Sequence, residues 1–190
     1  MIKLLKTLFS AAFLSLLASA PAFADDYADT VKVFEQAGVS GNFFKSAYGY
    51  AVFPSIGKAG VGVGGAYGKG RVYEMGRHVG DTSVTQVSVG LQLGGQAYSE
   101  IIFFEDQRAL REFTSGNFEF GAGASAVAIT AAASAKTTTG GSSASASGGQ
   151  HDAKTVGKYH KGMAVFTVAK GGLMYEASVS GQKFSYKAVK

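Results

Sequence analysis

The chain has 190 residues, with 18 lysines and arginines against 13 aspartates and glutamates, 27 glycines and no cysteine. Without cysteine there can be no disulfide, no thiolate metal site and no lipid-modified amino-terminal cysteine. The length suits one good hydrophobic core rather than two.

Residues 1–6 carry Lys3 and Lys6, residues 7–20 read TLFSAAFLSLLASA, Pro21 breaks the run, and Ala22 and Ala24 supply small residues before Asp25. This three-part pattern predicts a cleavable export signal with cleavage after Ala24, and a periplasmic or secreted protein. The apolar run falls short of the roughly 20 residues a membrane-spanning helix needs. Removal of 1–24 leaves 16 basic and 13 acidic residues. The remaining imbalance is concentrated at the end: residues 151–190 hold 7 lysines and only Asp152 and Glu176. Such a block suits an anionic surface, and lysines that keep strand edges soluble would produce it equally.

In chain order, Tyr27, Val31 and Phe34 recur at helical spacing after Asp25 and Asp26, predicting a helix over 26–37 that Gly38 ends. A strand over 48–53 is expected to stop at Pro54. Val61, Val63, Gly65 and Tyr67 then alternate with glycine or alanine, and Arg71, Val72 and Tyr73 follow after Gly68, Lys69 and Gly70, a pattern that predicts a hairpin of glycine-rich strands. Residues 84–93 have the cleanest period of two: Val87, Val89, Leu91 and Leu93 face one way, Gln86, Ser88, Gly90 and Gln92 the other. After Gly94 and Gly95, residues 97–104 form another strand. Residues 105–113 (EDQRALREF) predict an internal helix with Ala109, Leu110 and Phe113 on its apolar side. The stretch 118–133 reads as strand, with helix an alternative for its alanines. Residues 137–150 (TTTGGSSASASGGQ) are too polar and repetitive to pack and predict a flexible loop. Strands over 158–167, 172–179 and 182–187 close a single α+β domain, 25–190, of mostly antiparallel, barrel- or sandwich-like sheet. Ala51, Val52, Phe53 and Lys58 are echoed by Ala164, Val165, Phe166 and Lys170. Two similar hairpins in one sheet would produce that echo, and so would chance in a chain this rich in glycine, alanine and valine.

Several chemistries are excluded. Residues 60–65 spell G-x-G-x-x-G, but the next eight residues, AYGKGRVY, cannot open the helix that a dinucleotide pyrophosphate requires. His78, His151 and His160 lack metal-binding spacing, and no serine sits in a nucleophile-elbow motif. No cofactor and no enzymatic activity are expected. Nucleic acid is a poor partner for a chain of small net charge bearing an export signal.

The strings 48–54 (YGYAVFP), 57–65 (GKAGVGVGG) and 68–70 (GKG), then 89–96 (VGLQLGGQ), Ala109, Leu110 and Phe113, and finally Tyr159 and 170–173 (KGGL), resemble the SYLF domain in order along most of the chain. The resemblance implies a lipid-binding module. Eukaryotic relatives bind phosphoinositide membranes and take part in actin regulation, using an amphipathic amino-terminal helix; bacterial relatives are exported. Here the corresponding helix is short and begins with acids. The expected function is therefore a non-enzymatic envelope protein that binds anionic phospholipid or a membrane surface. Candidate contacts are Lys58, Lys69 and Arg71 on the glycine-rich hairpin and Lys161, Lys170 and Lys183 in the basic block. The alternatives are a structural protein binding an envelope protein partner, and a small outer-membrane barrel.

Overall fold

A computed structural model describes residues 25–61, 63–89, 94–121, 124, 126–129, 158–170, 179 and 181–190. The export signal, the loop expected over 137–150 and most of the strand expected over 172–179 lie outside the described residues.

Helix α1, Asp26–Gln36, starts where the Asp25 side chain accepts a hydrogen bond from the Tyr27 amide, an N-cap that satisfies one of the first-turn donors. A 3-10 turn, Ser40–Lys45, comes after it. Four long strands come next, β1 (Gly49–Val61), β2 (Val63–Glu74), β3 (Arg77–Val89) and β4 (Gly94–Phe104). Helix α2, Gln107–Phe113, is capped by the Asp106 carboxylate. Strands β5 (Val127–Ile129), β6 (Met163–Lys170) and β7 (Gln182–Ala188) complete one sheet of order β5-β6-β4-β1-β2-β3-β7. All neighbours are antiparallel except β5 and β6. The α+β class, both helices and β7 stand where the sequence places them.

Two sequence expectations are corrected. Strand β1 does not stop at Pro54. It continues to Val61, and the proline occupies an irregularity where the register slips against both β2 and β4. A residue without an amide hydrogen is tolerated at such a bulge, and the Ser99 hydroxyl donates to the Pro54 carbonyl at 2.8 Å. Likewise, Gly68, Lys69 and Gly70 do not interrupt the hairpin. Strand β2 runs straight through them, pairing with β1 as far as Val61 opposite Val63. The next turn is at Met75 and Gly76, both with positive φ, as a two-residue hairpin that follows the strand twist demands.

The sheet is rolled. Strands β4 and β7 are separated by three others, so in a flat sheet they would lie about 19 Å apart. Yet Gln182 of β7 donates through Nε2 to Glu100 of β4 at 3.0 Å and to the Tyr98 hydroxyl at 3.1 Å. One segment touches both edges of the roll. Residues 118–120 bond the free edge of β7, with Phe120 N to Gln182 O at 3.0 Å and Phe184 N to Phe118 O at 2.8 Å, and β5 continues on the free edge of β6.

Rolling creates two cores. Inside, Ala51, Phe53, Val72, Val84, Ile102, Phe104, Val165 and Phe184 meet Ala109, Leu110 and Phe113 of α2, which closes one end. Outside, Phe34 of α1 and Phe43 of the 3-10 turn cover Val52, Ile101, Phe103 and Phe166. The inner face of β2 makes the roll possible. Ile56 and the Phe53 ring lie against Gly68 and Gly70, where an added Cβ would fall 2.7 Å and 2.6 Å from those side chains. Gly70→Ala is therefore expected to destabilise the domain by about 1–3 kcal/mol through overpacking. Gly57→Ala, whose methyl would meet open space, should leave the urea midpoint nearly unchanged.

Candidate functional site

Along β2 the side chains alternate between the interior and the outside, with Gly64, Ala66, Gly68, Gly70 and Val72 inward. That leaves Val63, Tyr67 and Lys69 outward and exposed, with Val63 64% and Tyr67 53% accessible. On β3, Val84 is buried, and Gln86 is the inward residue next along the strand; Val87 is 74% exposed. The two faces of β3 are thus those read from the sequence, but its polar Gln86 points into the roll and its apolar Val87 points out. Across β3 from Lys69, which is registered on Ser83, β7 presents Lys183 opposite Thr85 and Lys187 opposite Asp81. The outer face of β2, β3 and β7 therefore joins Val63, Tyr67 and Val87 to Lys69, Lys183 and Lys187, with β2 and β7 two strand spacings (about 10 Å) apart. Three exposed apolar side chains beside three lysines make this the candidate interaction surface among the described strands.

The six residues singled out from the sequence are distributed unevenly. Lys69 and Lys183 share this face; Lys183 also pairs with Glu119 at 3.4 Å, both side chains being largely exposed, a contact of small energetic weight. Arg71 lies two residues beyond Lys69 on β2 but is engaged elsewhere, with Asp25 at 3.3 Å and over the Tyr27 ring at 4.1 Å. It clamps α1 to the sheet. Lys58 and Lys170 flank β4 at the same end, opposite Gln96 and Ala97. They point to opposite faces, Lys58 half-buried in phase with Ile56 and Lys170 exposed in phase with Val168. The echoing strands β1 and β6 are consequently not neighbours; each pairs with β4. Lys161 occupies a positive-φ turn before β6, at the α2 end. His78 bonds Asp81 at 3.1 Å, and His160 lies in the Lys161 turn, paired through its backbone with Met163.

Sequence reasoning gave no sign of a second feature, a polar layer inside the roll. Glu100 and Gln182 have no exposed surface, Thr167 has 1% and Gln86 6%. Glu100 stands opposite Thr167, and Gln86 opposite Gln182. Their polarity reads as outward-facing in a strand, and only the roll brings β3, β4, β6 and β7 to one interior level. The Glu100 Oε1, Gln182 Oε1 and Thr167 Oγ1 atoms are shielded without a hydrogen-bond partner. Burial pushes the Glu100 carboxyl up to about 7, against a smaller opposing effect of the Gln182 hydrogen bond.

Comparison with known proteins assigns the family. The profile of the family described as Ysc84, Las17-binding protein actin regulator, which contains the SYLF domain, matches residues 85–188, more than half of the chain. The chain belongs to the SYLF family. SYLF domains are binding domains, associated with lipid or protein ligands. The matched stretch of this SYLF protein includes Glu100, Gln182 and Lys183 and begins after the glycine-rich hairpin. The chain is also similar to beta cell expansion factor A of Aeromonas veronii, at 28% identity over 166 residues, covering 83% of this chain and 53% of the relative. It thus spans about half the length of that curated relative.

The raised Glu100 carboxyl has a consequence for stability. Between about pH 4.5 and 7 the folded state holds a proton that the unfolded chain has released, so stability falls as pH rises through that window and levels off above it. The expected loss is roughly 3 kcal/mol. Urea midpoints measured from pH 4.5 to 8 should decline for the wild type and stay flat for Glu100→Gln, with the variant the more stable protein at pH 8.

Proposed function

We propose that this SYLF domain is a non-enzymatic, exported protein that docks on anionic lipid surfaces through the outer face of β2, β3 and β7. The observation that carries the reading is the grouping of exposed Val63, Tyr67 and Val87 with Lys69, Lys183 and Lys187 on one open sheet face. Basic residues at an anionic surface contribute about 1 kcal/mol each. Full burial of one large apolar side chain contributes about 1.5–3 kcal/mol. Neither set alone gives firm attachment, so the two together predict reversible, salt-sensitive binding.

The outer-membrane barrel is the weaker reading. Such barrels carry an apolar belt around their whole circumference. Among the described residues, α1 and the 3-10 turn cover the outer face of β1, β4 and β6, and β7 is outwardly Lys183, Ser185 and Lys187.

Two experiments test the proposal. In vesicle flotation, the protein should rise with anionic vesicles and stay behind with neutral ones. Lys69→Glu with Lys183→Glu should reduce recovery at least tenfold, and Tyr67→Ser with Val87→Ser should also reduce it. Equal recovery with both vesicle types, untouched by either pair, would sink the lipid reading and favour a protein partner. For export, amino-terminal sequencing of protein from the cell envelope should start at Asp25; an intact Met1 would count against it.

A further inference from the structure

On the side of the barrel away from the docking face, the 3-10 turn, the link from β4 to α2 and the approach to β6 line an open pocket of about 390 Å³ whose rim residues Asn42, Ser46, Glu105 and Lys158 are exposed. Its walls are Asn42, Phe43, Ser46, Glu105, Lys158 and Tyr159. The volume lies in the range of small-molecule sites, and the wall chemistry is of two signs. Lys158 and Glu105 contribute opposite charges, yet among the described residues neither side chain forms an ion pair. The Tyr159 hydroxyl is shielded from water, and the Ser46 hydroxyl is close enough to act on it without forming a well-made hydrogen bond. Burial raises the Tyr159 phenol above its ordinary range, against an opposing Ser46 hydroxyl contact and with a smaller contribution from the Glu105 charge; like any neutral phenol it can donate a hydrogen bond. Asn42 uses its side-chain NH2 on the Gly38 carbonyl at 3.2 Å, which leaves its amide oxygen to accept. The floor is the Phe43 ring, held by Phe103, Tyr159 and Phe166 at centroid distances of 5.0–5.4 Å.

A lone anion would satisfy Lys158, Tyr159 and Ser46 but would face the Glu105 carboxylate. A lone amine would face Lys158. We propose that this pocket binds a small zwitterion, its phosphate or carboxylate on Lys158 and the Tyr159 and Ser46 hydroxyls, its ammonium on Glu105 and the Asn42 oxygen. A lipid headgroup and a free solute share that chemistry. Position favours the solute. Phe43 packs on the outer face of β4 and β6, whereas the docking face is that of β2, β3 and β7, so a membrane-bound domain turns the pocket toward water. The preference for a solute rests on the membrane reading; the zwitterion site itself does not, and it is tested without vesicles.

Isothermal titration of the purified domain with O-phosphoethanolamine should give one site. Inorganic phosphate alone and ethanolamine alone should each bind at least tenfold more weakly. Lys158→Ala and Glu105→Ala should each weaken O-phosphoethanolamine at least tenfold, and Tyr159→Phe, which keeps the ring, about five- to tenfold. Thermal melts of the three variants should match the wild type. A short-chain phosphatidylethanolamine below its micelle concentration provides the lipid arm: binding tighter than that of the free compound would assign the site to a headgroup and overturn the solute assignment. No heat with any zwitterion, or phosphate binding as tightly as O-phosphoethanolamine and indifferent to Glu105→Ala, would overturn the proposal.

Discussion

The contact between the Phe53 ring and the bare backbone of Gly70 governs how far this sheet can curl. Phe53 belongs to β1 and reaches Phe184 of β7 at a centroid distance of 5.8 Å, although β2 and β3 lie between those strands. It can do so because β2 offers no side chain at Gly68 or Gly70 to hold the walls apart. A similar approach occurs on β3, where the Tyr186 ring lies over Gly80 and its hydroxyl donates to the Val79 carbonyl at 3.1 Å. Tight curvature then has two results at once. Inside, residues four strands apart come within hydrogen-bonding range. Outside, the residues that alternate with the glycines, Tyr67 and Lys69, stand on the convex wall with little to cover them.

The interior is divided along its length. At the α2 end, Phe104, Phe113, Phe118, Phe120 and Phe184 form a contiguous set of ring contacts at 5.0–6.0 Å, the aromatic part of the inner core. Farther along, that packing gives way to Tyr98, Glu100, Thr167 and Gln182. A buried polar atom left unpaired costs about 1–3 kcal/mol, and apolar residues of similar volume would often serve stability better. The domain therefore carries a polar layer that its aromatic end must offset, and the Glu100 carboxyl makes that burden depend on pH.

Much of this was legible in the sequence, and the misses share one cause. Helical periodicity located both helices, with acids at the start and Gly38 at the end of the first, because those signals are local. Of the period of two expected over 84–93, the described part, 84–87, separates the faces of β3 as read. What it could not say is which face is inside. In a half-covered sheet the apolar face goes inward, but here the neighbouring β2 is stripped to glycine and alanine on its inner face and the space is taken by long residues from other strands, so Gln86 lies inside and Val87 outside. The glycines at 68 and 70 read as a break for the same reason: their role is to receive the side chains of Ile56 and Phe53, partners 12 and 17 positions away. Lysines 69 and 183 came together as a basic surface, whereas Arg71 could not be recognised as a clamp without knowing where Asp25 and Tyr27 would fold.

That clamp also bears on which part of the domain the proposed lipid docking can use. The resemblance to eukaryotic SYLF domains implies membrane contact through an amphipathic amino-terminal helix. In this chain the apolar side of α1 is already occupied: Phe34 is fully buried against the outer sheet face, and Tyr27 and Val31 pack with it. Arg71 pins the start of the helix by an ion pair and a ring contact together. Freeing α1 for lipid would expose Phe34 and the part of the outer face it covers, at a cost of about 1.5–3 kcal/mol for each large apolar side chain uncovered, against a short helix with three acids in its first residues that an anionic surface repels. The proposed lipid docking is therefore assigned to the strands, and the open wall of β2, β3 and β7 is where the described strands leave apolar and basic side chains together.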